Sequence, residues 1–360
     1  MTDEGEKHEV DVPNSKETIL NILQDKTLLR NEVSEVLRSG FNNIQKTTPD
    51  IQSMRLRTGK VFKSDEVLLE SGHSIIKTLT MSNTHTLASG GSDGTIKLWN
   101  IETGTLIRTI STESGELLAI AFGSEGKRIY SCAYLNKSAY CWDTSTSKPL
   151  WQKEIATSSS WINTLAVSPD RSQLATGGVT DPILVWDAHT HELILDLTSP
   201  AIISTRCIAF ANLSPLLVGM IEGNFNGRIV LWNLKSGNRI WEVDAGHQTT
   251  GVCFIKEDSC IAVLDSHTLS ILSAFDGNLI WRTPFGTSPD PGYALDYNGK
   301  LNMIVTGHEN NIIYLWDADT GNLVDACNGH SLSTFSVKFS LDGRYLASSG
   351  DDSRIKLWRL

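Results

Sequence analysis

The run Gly123-Ser124-Glu125-Gly126-Lys127 comes closest in this sequence to a phosphate-binding loop. Such a loop works because backbone N–H groups at a strand–loop–helix junction cradle phosphate oxygens while a lysine reaches the terminal phosphates. Here the first glycine is missing, and Arg128 stands where a Ser or Thr should hold the metal. The run falls between two strand-like segments, so it reads as a turn. The six cysteines (Cys132, Cys141, Cys207, Cys253, Cys260 and Cys327) show neither CxxC nor CxxxC spacing, which argues against a structural zinc site or a disulfide framework. No HExxH, no GxSxG and no paired carboxylates at a shared register occur, and the nine histidines are dispersed. The sequence therefore points to a protein that is not an enzyme and needs no cofactor or metal.

Charge narrows the partner class. The net charge of −10 divides into −1 over residues 1–60 (nine Lys/Arg, ten Asp/Glu) and −9 over residues 61–360 (22 against 31). Phosphate backbones are bound mainly through Lys and Arg that displace counterions, so an acidic body disfavours nucleic acid. No stretch is long and apolar enough for a membrane span, and the first residues show no secretory h-region. With cysteines that suit a reducing compartment, the expected location is cytoplasmic or nuclear.

The elements that must carry any function emerge when the chain is laid on itself. Trp99, Trp142, Trp186, Trp232, Trp316 and Trp358 each end a short β-like run, and Leu272 falls where another would. The intervals are 43, 44, 46, 40, 44 and 42 residues, the length of one propeller blade. One residue before the ruler come Leu98, Cys141, Val185, Leu231, Ile271, Leu315 and Leu357, and three before it another apolar series; spacing by two is what a strand with a buried face requires. Eight residues after the ruler come Ile107, Leu150, Ile194, Ile240, Ile280 and Val324, expected to point inward. Trp151, Trp241 and Trp281 sit one residue further on, expected on the opposite sheet face, either against the adjacent blade or as an exposed aromatic wall. Turn residues such as Ser92-Asp93-Gly94, Asn226-Gly227 and Thr320-Gly321 separate the runs. Each repeat thus reads as four short antiparallel strands.

The repeats resemble the WD-repeat (Trp-Asp repeat) β-propeller family over residues 61–360. Leu87-Ala88-Ser89-Gly90-Gly91-Ser92-Asp93-Gly94-Thr95-Ile96-Lys97-Leu98-Trp99 is similar to the family consensus. Gly-His pairs stand at Gly72-His73, Gly246-His247 and Gly329-His330, and Trp-Asp at Trp142-Asp143, Trp186-Asp187 and Trp316-Asp317. The expected fold is all-β, a seven-bladed β-propeller of four-stranded antiparallel blades preceded by one amphipathic α-helix. The resemblance implies a tetrad of His, Ser/Thr, Asp and Trp inside a well-formed blade. Two blades hold all four members: His73, Ser89, Asp93, Trp99, and His330, Ser348, Asp352, Trp358. The last repeat stops after its third strand, so Glu66–Glu70 is expected to supply the outer strand of blade seven and remove its open edge.

The resemblance also implies protein partners docking on the narrower top face, near the channel mouth. The aligned positions at the start of each innermost strand are Lys77, Leu118, Asn163, Arg206, Thr250, Tyr293 and Phe335. Two residues earlier lie Glu116 and Trp161, and the turn positions include Phe225 and Asp265. Trp, Tyr, Arg and Phe are enriched at interface hot spots, so the candidate protein-binding residues are Trp161, Arg206, Tyr293 and Phe335, with Lys77, Glu116 and Asn163. Packing between blades is the competing role for Trp161 and Phe335. Neither the Phe-Arg-Arg-Gly run of phosphoinositide-binding propellers nor the post-tryptophan Arg of ubiquitin-ligase receptors occurs. The expected function is a non-enzymatic protein–protein interaction scaffold, a subunit or adaptor of a multiprotein complex. The alternative is a module that reads a short, modified or unmodified peptide on the top face.

The first sixty residues are different material. Residues 1–12 are acidic and polar, the expected signature of disorder. Asn14 and Glu17 offer a capping box, and Ile19, Ile22, Leu23, Leu29, Val33, Val36 and Leu37 follow at helical spacing before Gly40. An amphipathic helix is expected within 13–40 and a polar linker over 41–60. The apolar stripe of Asn14–Leu37 could fold back in cis, dimerise as a short coiled coil, or dock in a partner's groove.

Overall fold

A blade exists because each repeat alternates apolar and polar residues over four short runs, and a sheet so built must bury its faces against neighbours. The computed structural model describes residues 66–70, 72–83, 85–155, 161–179, 183–197, 204–222, 227–245, 249–285 and 291–360. The expected helix Asn14–Leu37, the acidic tip and the linker lie outside them, as does Phe225. Seven four-stranded antiparallel sheets form, six of them with strands in chain order. The innermost strands are Ile76–Met81, Leu117–Phe122, Ile162–Val167, Ser204–Phe210, Gly251–Ile255, Gly292–Asn298 and Thr334–Phe339. Each contacts the next, and the last contacts the first, so the sheets close into a ring.

The closure is made as the repeat arithmetic requires. In blade seven, Glu66–Glu70 pairs antiparallel with Arg354–Arg359, from Glu66 opposite Trp358 to Glu70 opposite Arg354. Leu69 is buried in a cluster with Ile76, Leu79 and Trp99 of blade one and Ala347, Ile355 and Leu357 of blade seven. The seam is sewn further by the Ser336 hydroxyl accepting from Leu79 N at 3.1 Å and by Ser349 donating to Ile76 O at 3.3 Å. Similar clusters join neighbouring blades elsewhere: Ile96 and Ile110 of blade one, for instance, pack with Leu117, Phe122 and Trp142 of blade two.

Both expected tetrads form. In blade one, Trp99 Nε1 donates to Ser89 Oγ at 3.0 Å, Ser89 Oγ lies 3.0 Å from His73 Nε2, and His73 Nδ1 lies 3.0 Å from the Asp93 carboxylate. Blade seven repeats the chain from Trp358 through Ser348 and His330 to Asp352. A neutral histidine makes every link directional: Trp N–H to Ser oxygen, Ser O–H to His Nε2, His Nδ1–H to carboxylate. Burial lowers the His73 pKa and outweighs the pull of Asp93, while the His330 and Ser331 hydrogen bonds overcome burial to hold Asp352 at about 2. Charge in the blade-one tetrad thus rests on Asp93.

Three further blades keep part of the chain. Trp142 donates to Ser131 at 2.9 Å and Trp186 to Thr176 at 3.1 Å. In blade six Trp316 donates to Thr306 at 2.9 Å, and His308, from the end of the same strand as Thr306, lies 2.8 Å from that hydroxyl. A histidine from the second strand therefore takes the place that the Gly-His pair supplies elsewhere. Blades four and five use apolar contact instead: Trp232 lies over Gly219 in a buried cluster shared with blade three, and Leu272 beside Ile261 in one shared with blade four. The Asp of Trp-Asp has its own local task. The side chains of Asn100, Asp143, Asp187, Asn233 and Asp317 each accept two backbone N–H groups of the following turn.

One expectation is overturned. Ile107, Leu150, Ile194 and Ile240 are exposed, not inward, and Ile280 and Val324 are only partly buried. The reason is a β-bulge in the outermost strand of blades one to six: Trp99 pairs with Leu106 while Leu98 pairs with Arg108, which leaves Ile107 as the extra residue, and the other five repeat this. The tryptophans one position on do meet the adjacent blade. Trp151 stacks on His191 with centroids 4.6 Å apart, Trp241 Nε1 donates to Ala274 O at 3.0 Å, and Trp281 is buried.

Two outcomes test this core. Ser348→Ala strands both the His330 and Trp358 nitrogens and should destabilise by about 2–5 kcal/mol, against about 1–3 kcal/mol for Ser131→Ala, which strands one nitrogen; thermal unfolding of the two variants compares them. The second concerns pH. Because the folded His73 pKa lies below its unfolded value, the unfolded chain binds the extra proton, and stability falls as pH drops through about 6.5. Melting temperatures from pH 7.5 to pH 5 should therefore fall less steeply for His73→Gln than for the parent, although that variant starts from a lower value.

Candidate recognition rim

The rim of the channel is built from one repeated backbone device. In six of the seven blades the pairing of the innermost strand with its neighbour slips by one residue near its start. The slips fall between Ile76/Thr78, Leu117/Ala119, Ile162/Thr164, Thr205/Cys207, Gly292/Ala294 and Thr334/Ser336. The extra residues are Lys77, Leu118, Asn163, Arg206, Tyr293 and Phe335. A bulge re-aims a side chain out of the alternating pattern, and all six side chains are partly or fully exposed. Blade five has no such slip; Thr250 lies just outside its strand, its N–H donating to Leu264 O at 2.9 Å. Beyond the bulge a second bond recurs: Ser92, Tyr134, Val179, Glu309 and Asp351 donate their N–H groups to the carbonyls of Ile75, Glu116, Trp161, Pro291 and Ser333 at 2.7–3.1 Å.

The structure brings the sequence-derived candidates into two groups. In the first, Tyr293 and Phe335 pack with ring centroids 5.5 Å apart. Lys77 Nζ lies 4.4 Å from the Phe335 ring centroid and 3.6 Å from the Glu116 carboxylate. Such a cation over a ring face contributes about 0.5–1 kcal/mol where exposed. In the second, Trp161 meets Tyr134 edge-on with centroids 5.2 Å apart, Asn163 Nδ2 lies 3.5 Å from Ser204 Oγ, and Arg206 Nε donates to Glu222 at 2.7 Å. Trp161 and Phe335 thus pack against neighbouring rim residues while each keeps an accessible face.

Tyr134 and Leu135, which sequence reasoning did not single out, stand 46% and 67% exposed beside Trp161. The signal was available: two large apolar residues, Tyr134-Leu135, occupy the turn that holds Ser92-Asp93 in blade one and Asp351-Asp352 in blade seven. The opposite end of the channel holds a cavity of about 720 Å³ with Leu213 and Leu341 exposed at its rim. There Asp258 accepts from the backbone N–H groups of Asn212, Leu213 and Ser214, which ties two blades together. Among the described residues no group of three or more His, Cys, Asp or Glu could hold a metal ion, and no helix is long and apolar enough to cross a membrane. The Gly123–Lys127 run lies at a turn between strands, with a single 3₁₀ turn at Ser124–Gly126.

Four-stranded blades closed into a ring define a β-propeller. The family profile described as "WD domain, G-beta repeat" matches residues 66–100 and 321–359, covering blades one and seven, which hold the complete tetrads. A profile described as "Outer membrane protein assembly factor BamB" matches 226–324, the stretch in which the ruler tryptophan is replaced by Leu272. The chain is 24% identical to autophagy-related protein 16 of Arabidopsis thaliana over 77% of its own length and 54% of that protein. It is 25% identical to nuclear distribution protein PAC1 of Arthroderma otae, over 76% of this chain and 56% of that one. With the protein LST8 homolog of Drosophila melanogaster it shares 23% identity over 76% and 75%. The chain spans about half the length of the first two relatives. With its tetrads and its Trp-Asp turns, it belongs to the WD-repeat β-propellers.

Proposed function

We infer that this chain is a non-enzymatic interaction platform, a subunit or adaptor of a multiprotein complex, and that its rim receives a peptide segment of a partner. One observation carries the reading. Six blades build the same bulge, yet the residue displayed there changes from Lys to Leu, Asn, Arg, Tyr and Phe. A constant backbone presenting varied side chains is what a recognition surface needs, whereas residues packed only for stability converge on similar types, as the ruler positions do. The residues proposed to bind are Trp161, Arg206, Tyr293 and Phe335, flanked by Lys77, Glu116 and Asn163.

Other observations support a non-catalytic role. The tetrad histidines are committed to hydrogen bonds inside the blades. The names of two relatives above, "autophagy-related" and "nuclear distribution", describe processes rather than reactions. All six cysteines are free thiols, and burial pushes Cys132 and Cys207 up to about 12, which suits a reducing cytoplasm or nucleus and leaves them inert. A second reading gives assembly to the stripe Asn14–Leu37, as a coiled-coil or groove-docking helix, with the propeller as passenger.

Tagged full-length protein is to be isolated from its native host beside a form lacking residues 1–60 and a form carrying Trp161→Ala, Arg206→Ala, Tyr293→Ala and Phe335→Ala. Quantitative mass spectrometry should show partners retained by the truncated form and lost from the quadruple variant. Loss with the truncation alone moves recognition to the N-terminal segment. Retention by all three forms contradicts the rim assignment.

A further inference from the structure

Charge and apolar surface are not spread evenly round the rim. Blades two and three present exposed Tyr134 and Leu135 and half-buried Trp161, an apolar patch joined by the edge-on contact of its two rings. The patch holds no formal charge of its own. On the other side, the turns after the second strand of blades five, six and seven carry Asp265, Glu309 and Asp351, the last beside Asp352, which like Asp93 of blade one is held by its tetrad histidine. Among the described residues none of these three is in an ion pair. The two cations at bulge positions are paired locally, Lys77 with Glu116 and Arg206 with Glu222, while Lys137 borders the apolar patch and Arg354 follows the blade-seven turn.

The acidic side also carries the aromatic pair Tyr293 and Phe335. Phe335 already accepts one cation, the Lys77 ammonium, against its ring. Tyr293 stays protonated beside Glu309, its pKa raised by burial first and by that carboxylate second. Carboxylates alternating with ring faces attract ammonium and guanidinium groups by charge and by the ring quadrupole. The same field repels phosphate and carboxylate ligands.

Resting on the rim reading above, we propose that the partner segment is a basic peptide with one large apolar side chain. Its apolar anchor sits on Tyr134, Leu135 and Trp161, and its Lys or Arg residues lie over Asp265, Glu309 and Asp351. The separation of the two sectors across the ring fixes the direction in which the peptide lies. An acidic peptide, a phosphopeptide and a nucleic acid are all excluded by the same charges.

The test is a selection of displayed random peptides on the immobilised full-length chain, followed by fluorescence anisotropy with the enriched sequences. The enriched set should be rich in Lys and Arg around one aromatic or large aliphatic residue. Binding should weaken at least about tenfold for Glu309→Lys and again for Asp351→Lys, since a reversed contact charge opposes the ligand by more than 1.4 kcal/mol. It should also weaken for Leu135→Ser, and fall as salt is added. Where a reversal lowers the melting temperature, Glu309→Gln and Asp351→Asn carry the same test with a smaller expected loss. Enriched peptides that are neutral or acidic, yet lose binding with Trp161→Ala and Phe335→Ala, would overturn the basic-ligand proposal and leave the rim reading standing. Peptides indifferent to every rim substitution, or no enrichment at all, would overturn both.

Discussion

A sheet with an unpaired edge is the constraint on which the rest of this molecule depends. A blade ending at Arg354–Arg359 offers a row of free N–H and C=O groups, and six complete blades leave a seventh one strand short. Glu66–Glu70 satisfies that edge from the far end of the sequence. The pairing joins segments almost three hundred residues apart, so its closure entropy is large in total but grows only logarithmically with loop length. The return is the whole Leu69 cluster and the seam bonds at Leu79 and Ile76, none of which can form while the ring is open. The rim is a consequence: bulged residues of blades six, seven and one meet as Tyr293, Phe335 and Lys77 because the seam holds their strands side by side.

The complete tetrads flank that seam, one in blade one and one in blade seven. Elsewhere the chain of hydrogen bonds is shortened to Trp–Ser or Trp–Thr, rebuilt with His308, or replaced by apolar contact. A buried polar network is stabilising only when every member is satisfied. Blades that lack the histidine also lack the buried nitrogens that would need partners, so the partial versions are consistent solutions and not damaged ones. The two blades with most to hold together carry the most directional core.

Much of this was legible in the sequence for a physical reason. A ruler residue repeating at blade length fixes the sheet count, because a large buried side chain, an indole in six sheets and Leu272 in blade five, stands at the same place in each. The Gly-His pairs and turn aspartates then fix the tetrads, and counting strands fixes the closing segment. What stayed hidden follows from the bulges. Simple alternation puts Ile107, Leu150, Ile194 and Ile240 inside, and one extra residue in each outermost strand puts them outside. The rim positions were found by register, but nothing in the residue types says that they are bulged. His308 escaped because it comes from the end of the second strand, whereas His73 and His330 precede the innermost strand of their blades. The polarity of the rim, apolar over blades two and three and acidic over five to seven, needs the ring to be drawn before it can be seen.

The functional reading inherits its firmness from the closure, since a rim that opens and shuts presents no fixed set of side chains. Amide hydrogen exchange on the full-length protein addresses that point most directly, because exchange reports the opening free energy of individual segments. If Glu66–Glu70 is the outer strand of blade seven, its amides and those of Arg354–Arg359 will exchange as slowly as those of outer strands such as Leu106–Ser111. Rapid exchange across Glu66–Glu70, with Arg354–Arg359 exchanging as an open edge, would contradict the closed ring.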